Sequence, residues 1–289
     1  MAKSVEFTWN PDDFTALIRS CLVDDGVQLA MQYLPDKNYR ILEAGCGIGR
    51  VVKYLHDQGY QSVQGIELNE AAVRWVKGKF PELNITTGDL LNMPYESEYF
   101  DVLMSFGVVE HFQDGLDAPL KSLLRVLKVG GIAIVTVPSV NTLRKISYAW
   151  NRLKERMDPR RNTLIRRAFG KRPISQSPQK RPPDLYRVFP EHGPFFEYRL
   201  TRKEFESCCQ KAGFKILRSV PISHLDGFYH QFGPRLIRFE NWAFTPTRTA
   251  KALNAIFKLI PFFHNHMHAC VLTKTSYSKP NPIPLRMQP

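Results

Sequence analysis

Arg40-Ile-Leu-Glu-Ala-Gly-Cys-Gly-Ile-Gly-Arg50 is a short apolar run that breaks into three alternating glycines, the form of a buried strand turning sharply into a helix. Gly45, Gly47 and Gly49 have no Cβ, so the backbone can take positive φ and come close to a ligand at the carboxyl end of that strand. A dinucleotide fingerprint would carry its third glycine one residue later, where Arg50 stands, which argues against a nicotinamide dehydrogenase. A tight turn without a ligand would use the same glycines, so the residues that follow decide the reading.

Ser62 to Leu68 reads as a second buried strand ending near Glu67, about twenty residues on, where an α/β nucleotide site places its ribose acid. A third strand near Asn84 to Thr87 ends at Gly88-Asp89-Leu90. A fourth, Phe100 to Phe106, leads into Gly107-Val-Val-Glu-His-Phe112. The run Arg125 to Gly131 is expected to close a helix on its two glycines, before a fifth apolar strand at Ile132 to Val137. Thr201 and Glu204 have capping-box spacing, with a helix ending at Gly213, a sixth strand at Phe214 to Val220 and a seventh at His268 to Lys274.

With Leu42-Glu-Ala-Gly-Cys-Gly-Ile-Gly-Arg50, Gly65-Ile-Glu67, Gly88-Asp-Leu90, Phe100-Asp-Val102, Val109-Glu-His-Phe112 and Arg125-Val-Leu-Lys-Val-Gly-Gly131 in order, the chain resembles the class I S-adenosylmethionine-dependent methyltransferases. It is closest in pattern to the branch acting on small molecules and quinone-type or lipid precursors. The resemblance covers roughly residues 38 to 140, with a weaker match at Leu200 to Val220. It implies an α/β fold: a seven-stranded Rossmann-like sheet, mostly parallel with the last strand antiparallel between the fifth and sixth, helices on both faces, and inserted lid segments. It implies S-adenosylmethionine as cofactor. The glycine turn (Glu43, Gly45, Cys46, Gly47, Gly49, Arg50) would face its methionine part, Glu67 its ribose, and Asp89 with Leu90 its adenine; Leu68 and Phe106 complete the implied contacts. Glu43 could serve the cofactor's amino group or only the turn, and Asp89 could instead cap a helix.

The expected organisation is an N-terminal helical segment (1–37), a cofactor-binding core (38–140), a basic lid (141–197) and a C-terminal part of the core (198–289) with an insertion at about 222–266. Residues 1–140 carry 12 Lys and Arg against 18 Asp and Glu, whereas 141–289 carry 28 against 9, so that −6 in the first part and +19 in the second make the net charge of +13. Between Arg144 and Arg187 there are 14 basic and 3 acidic residues, arginine predominating, with prolines at 159, 173, 178, 182 and 183. That composition reads as a solvated loop, helical near Ile146 to Met157 and looser afterwards, or as a clamp for an anionic group. The second insertion is rich in Phe, Tyr and Trp; Leu253, Ile256, Phe257 and Ile260 have helical spacing suited to packing, and its basic neighbours would also suit an anionic membrane face.

His111, just past the fourth strand, is the candidate general base; its other role would be to pack at the start of the next helix. Glu110 could orient it. Tyr148, His192, Tyr198, His224 and His230 are further candidates in or beside the insertions. His264, His266 and His268 alternate as on a strand edge, read as surface chemistry, and no metal is assigned. Five cysteines without a C-x-x-C pair point to a reduced, cytoplasmic setting, peripheral to a membrane if the basic half meets one; no signal-peptide pattern or membrane-length apolar run is present. The expected activity is methyl transfer to an oxygen, less readily a nitrogen or carbon, of a small, lipid-like or saccharide metabolite. The alternatives are an RNA or protein methyltransferase and a non-catalytic scaffold.

Overall fold

The computed structural model describes residues 14–157, 185–189 and 193–276. Most of the proline-rich basic segment, and His192, lie outside the described residues. Seven strands form one sheet: β1 (Arg40–Ala44), β2 (Ser62–Glu67), β3 (Asn84–Thr87), β4 (Phe100–Phe106), β5 (Leu127–Pro138), β8 (Phe214–Ile222) and β11 (Met267–Lys274). Their order is β3-β2-β1-β4-β5-β11-β8. The first five pair in parallel, and β11 runs antiparallel between β5 and β8, as expected.

Alternate residues of each strand serve opposite faces, and the core divides accordingly. Ile41, Val102, Ile134 and Val271 pack on one face beneath α1 (Phe14–Ser20), α2 (Asp25–Met31), α3 (Arg50–Asp57) and α4 (Glu70–Lys79). Their neighbours Leu42, Leu103, Val135 and Leu272 pack on the other against α5 (Asp117–Val126) and α7 (Arg202–Lys211). Burial on both sides explains why the strands read as continuous apolar runs. The Thr201–Glu204 capping box is present at the start of α7.

Two expectations need correction. The helix before β5 ends at Val126, and Gly130 and Gly131 lie within β5 instead of closing the helix. Register jumps there, from Phe100 opposite Leu127 to Val102 opposite Ile132. The glycines absorb that excursion: Gly130 has φ +79°, and a Cβ on Gly131 would lie 2.9 Å from the Asp101 carbonyl oxygen. The lid is also not uniformly loose after Met157, because β6 (Leu185–Phe189) and β7 (Gly193–Glu197) pair antiparallel.

The remaining elements are α6 (Thr142–Met157), α8 (His224–Phe232), the hairpin β9 (Ile237–Glu240) and β10 (Ala243–Pro246), and α9 (Arg248–Lys258). Helices α8 and α9 close a small core on Phe228, Ile237 and Ala250, with Leu253 and Phe257 packed against it. No helix among the described residues is long and apolar enough to cross a membrane.

Candidate active site

The parallel strands β1, β4 and β5 all end at the same edge of the sheet, and the polar groups collect there. The amides of Gly45 and Cys46 donate to the Ile66 carbonyl (2.8 and 3.1 Å), tying the turn after β1 to β2. Gly45, Gly47 and Gly49 have φ of +79°, +55° and +73°, which any side chain would strain. Space is short as well. A Cβ on Gly45 would lie 2.5 Å from Val108 Cγ2, and one on Gly49 would lie 2.4 Å from Ile85 Cδ1. For these two glycines the vacated volume is filled by protein, so part of the pattern serves packing as well as ligand approach. Cys46 is buried with its sulfur toward Gly65, and burial raises its thiol pKa well above the ordinary value.

Glu67 reaches back to this turn. Its Oε2 accepts from the Gly47 amide (2.8 Å) and its Oε1 from the Asn69 amide (2.9 Å), so each oxygen keeps lone-pair capacity for a hydroxyl. Leu68 beside it is exposed. Asp89 caps a single 3₁₀ turn at Leu90–Asn92 through the Leu91 amide (2.9 Å), and Leu90 is buried. Both readings of Asp89 stay compatible, since the cap uses only one oxygen.

Glu43 is 5% exposed, and its Oε2 has no hydrogen-bond partner among the described residues. Burial pushes its carboxyl up to about 8, against the opposing pull of the Arg50 charge and a bond from the Val52 amide. Arg50 itself is drawn to Asp24 (2.6 Å), which caps α2 through the Gly26 and Val27 amides. The N-terminal helices are thereby fastened over the turn, with Gly26 against the Phe106 ring. Asp24 was missed in the sequence, although Asp24-Asp25-Gly26 ahead of an apolar helix is a legible cap. An orphaned buried carboxylate oxygen and a half-used acid at the ends of the neighbouring strands β1 and β2 are the acceptor set that an amine and a ribose diol need.

His111 sits on a 3₁₀ turn, Val109–His111, whose neighbour Val108 is the residue wedged on Gly45. The chain segment that leads into the candidate base therefore packs on the glycine turn through Val108. Glu110 is buried with Oε2 unpartnered among the described residues, and burial, reinforced by Glu197, holds its carboxyl well above the usual range. Tyr198 latches this turn: its amide donates to the Glu110 carbonyl (3.0 Å) and its hydroxyl to the Gln113 carbonyl (2.6 Å).

Beyond β5 lies a second polar cluster. Arg144 is 6% exposed, donates to the Ser139 carbonyl and lies 2.9 Å from His266 Nδ1. Among the described residues no carboxylate comes within ion-pair distance of it. Arg199 stands close enough to depress its pKa, after burial, and is itself bonded to Glu197 (2.6 Å) and Tyr148. Asp226, His230 and His266 present ligand atoms within 4.8 Å of one another, a metal-like grouping that spacing along the chain did not reveal. The Arg144 guanidinium on His266 disfavours a cation there.

The surface reading of the three alternating histidines is overturned. His264 and His268 are fully buried, His268 because β11 is an inner strand and His264 because it packs against the Phe228 and Phe257 rings. His268 stacks edge-on against Phe205 and Phe262 and bonds Ser219 (2.8 Å), and His264 bonds Asn254 (2.7 Å). Burial pushes His224, His264 and His266 down to about 4, keeping all three neutral near neutral pH.

Residues 42–135 match the family model described as a methyltransferase domain. Over 99 residues the chain is 33% identical to a Mycolicibacterium smegmatis protein named as a probable S-adenosylmethionine-dependent methyltransferase, covering 34% of this chain and 38% of that protein. Over 138 residues it is 27% identical to the malonyl-[acyl-carrier protein] O-methyltransferase of Enterobacter lignolyticus, covering 47% of this chain and 53% of that one. The chain thus spans between about a third and about half of the length of these curated relatives. A crystal structure of a Pyrococcus horikoshii protein superposes with a TM-score of 0.54 at 17% identity over 92% of this chain and 93% of that one, a likeness of fold.

Proposed function

We propose that residues 42–135, which match a methyltransferase domain, work as a class I S-adenosylmethionine-dependent methyltransferase, and that the chain methylates an oxygen of a small or lipid-like acceptor that carries a carboxylate or phosphate. The observation that carries the acceptor class is Arg144, a buried guanidinium with a second arginine beside it and, among the described residues, no carboxylate within ion-pair distance, Glu197 and Asp226 acting on it only from farther away. An anionic group of the acceptor would complete the pairing of this charge. The relative named above as a malonyl-[acyl-carrier protein] O-methyltransferase is in keeping with methyl transfer to oxygen.

S-adenosylmethionine supplies an electrophilic methyl carbon when bound. In this reading Glu67 holds the ribose hydroxyls, Asp89 the adenine amine, and Glu43 the α-ammonium. Arg144 and Arg199 hold the acceptor's anionic end by the ends of β4 and β5, since Tyr198 is bonded to the His111 turn and Leu200 to Pro138. His111 would accept the proton that the acceptor hydroxyl gives up on methylation. An acceptor carboxylate would need no proton removed, and His111 would then only border the cavity.

Transfer of labelled methyl groups into a fractionated cell extract tests this reading. Label is expected in acidic small-molecule or lipid fractions. Arg144→Met should lower transfer at limiting acceptor by about thirtyfold or more, the effect of losing one partner of a buried charge pair at about 2 kcal/mol, while S-adenosylhomocysteine binding stays unchanged. Label in RNA or protein, or an undiminished Arg144→Met, would reject the acceptor class.

Glu43 gives a separate test through its proton. In the free chain burial keeps the carboxyl protonated up to about pH 8, whereas an ammonium beside it favours the carboxylate. Binding therefore releases a proton below that pH, and affinity rises with pH until about 8 before levelling. Calorimetry of S-adenosylhomocysteine in buffers of different ionisation enthalpy, near neutral pH, should show close to one proton released for the parent chain and none for Glu43→Gln. No release from the parent chain would remove Glu43 from the ammonium site.

A further inference from the structure

Helix α6 is packed the reverse of an ordinary surface helix. Its inward side carries Arg144 and half-buried Tyr148, while Ile146, Trp150 and Leu153, one turn apart in succession, are 45–57% exposed. Helix α9 and its exit repeat the arrangement: Ala250 is buried, Phe257 packs inward, and Ile256, Leu259 and Ile260 are 54–80% exposed. The two are joined at their ends, where the Thr142 and Leu143 amides at the start of α6 donate to the Phe262 and Phe263 carbonyls just past α9 (2.9 and 3.0 Å). Exposed aliphatic side chains on two adjoining elements, Ile146 and Leu153 on the first and Ile256, Leu259 and Ile260 on the second, form an apolar face of the kind that meets a partner or a membrane.

We propose that the outward faces of α6 and the α9 exit form a docking surface for an anionic lipid bilayer. The charges beside the apolar side chains select this occupant. Lys145 on α6 and Arg248, Lys251 and Lys258 on α9 are all exposed, and residues 248–263 contain no acidic residue. On α9 the basic positions fall on an arc next to that of Ile256, Leu259 and Ile260, the three-sector pattern of a helix that lies in an interface with its cations at the phosphate level. A second copy of the chain would bring the same cations against one another. The proposal does not rest on the methyl-transfer reading, although a docked α6 would hold Arg144 on the side turned away from the bilayer.

Sedimentation with vesicles decides it. The full chain should pellet with phosphatidylcholine vesicles that contain phosphatidylglycerol and stay in solution with phosphatidylcholine alone at the same salt concentration. The Ile256→Ser/Leu259→Ser/Ile260→Ser variant should lose at least about tenfold in affinity, and Lys258→Gln roughly fivefold, both with an unchanged thermal melt. A triple variant that fails to fold is replaced by Leu259→Ser alone, at the most exposed of these positions. Absence of the parent chain from the anionic pellet, or serine variants that bind as well as the parent, would overturn the proposal. So would a dimer in light scattering that the triple variant dissolves, because the face would then be a contact between copies.

Discussion

Glu67→Ala should bind S-adenosylhomocysteine about a hundredfold more weakly than the parent chain, or worse, by calorimetry. Two effects add. A carboxylate accepting from both hydroxyls of a ribose makes two charge-assisted hydrogen bonds of about 1.5 to 3 kcal/mol each, so their loss alone accounts for a hundredfold. The same carboxylate also holds the Gly47 amide (2.8 Å) and the Asn69 amide (2.9 Å), so its removal frees the glycine turn whose shape the cofactor requires. Glu67→Gln keeps one acceptor and should lose roughly tenfold, placing it between the two. An alanine variant within threefold of the parent would mean that the ribose is held elsewhere, even though the turn is anchored as described.

The core of the fold was legible because its strands are buried on both faces and its turns need glycine. Residues 40–50 spell both conditions, and the capping box at Thr201 spells the start of α7. What stayed hidden depends on partners far away in the chain. Arg144 lies in a run of basic residues that reads as solvated surface, and only the fold shows that it is taken inward to meet His266, 122 residues later. His268 is inner or outer according to whether β11 is an edge strand, and its pairing with β5 and β8 is not written in its own neighbourhood. The β9–β10 hairpin turns at Asn241 and Trp242, both at positive φ, without the Asn-Gly signal such a turn usually carries. Gly130 and Gly131 misled for a related reason: glycines after a helix commonly end it, but here they make room against a neighbouring strand's backbone.

The sign of one substitution separates local preference from packing. Gly227 lies in the first turn of α8, where helix propensity alone predicts that alanine stabilises by about 1 kcal/mol. The fold predicts the reverse. A Cβ at this position would lie 1.8 Å from the His264 carbonyl oxygen, 2.8 Å from the His266 nitrogen and 2.9 Å from the Asn265 carbonyl carbon, all backbone atoms that cannot rotate aside. Helix α8 rests directly on the 264–266 segment, held by the bond from the His266 amide to the Ser223 carbonyl (3.1 Å), and it must lift by more than an ångström to admit a methyl group. Lifting it would withdraw fully buried Phe228 from its cluster and part Asp226 from His266, which supports Arg144. Gly227→Ala should therefore cost about 3 kcal/mol or more in urea unfolding and weaken acceptor binding, while S-adenosylhomocysteine affinity changes less, since α8 reaches the helices over the glycine turn through the Ser223 amide on the Asp25 carboxylate (2.7 Å). An alanine variant as stable as the parent would show that α8 is not seated on that segment, and the link from Asp226 through His266 to Arg144 would have to be abandoned.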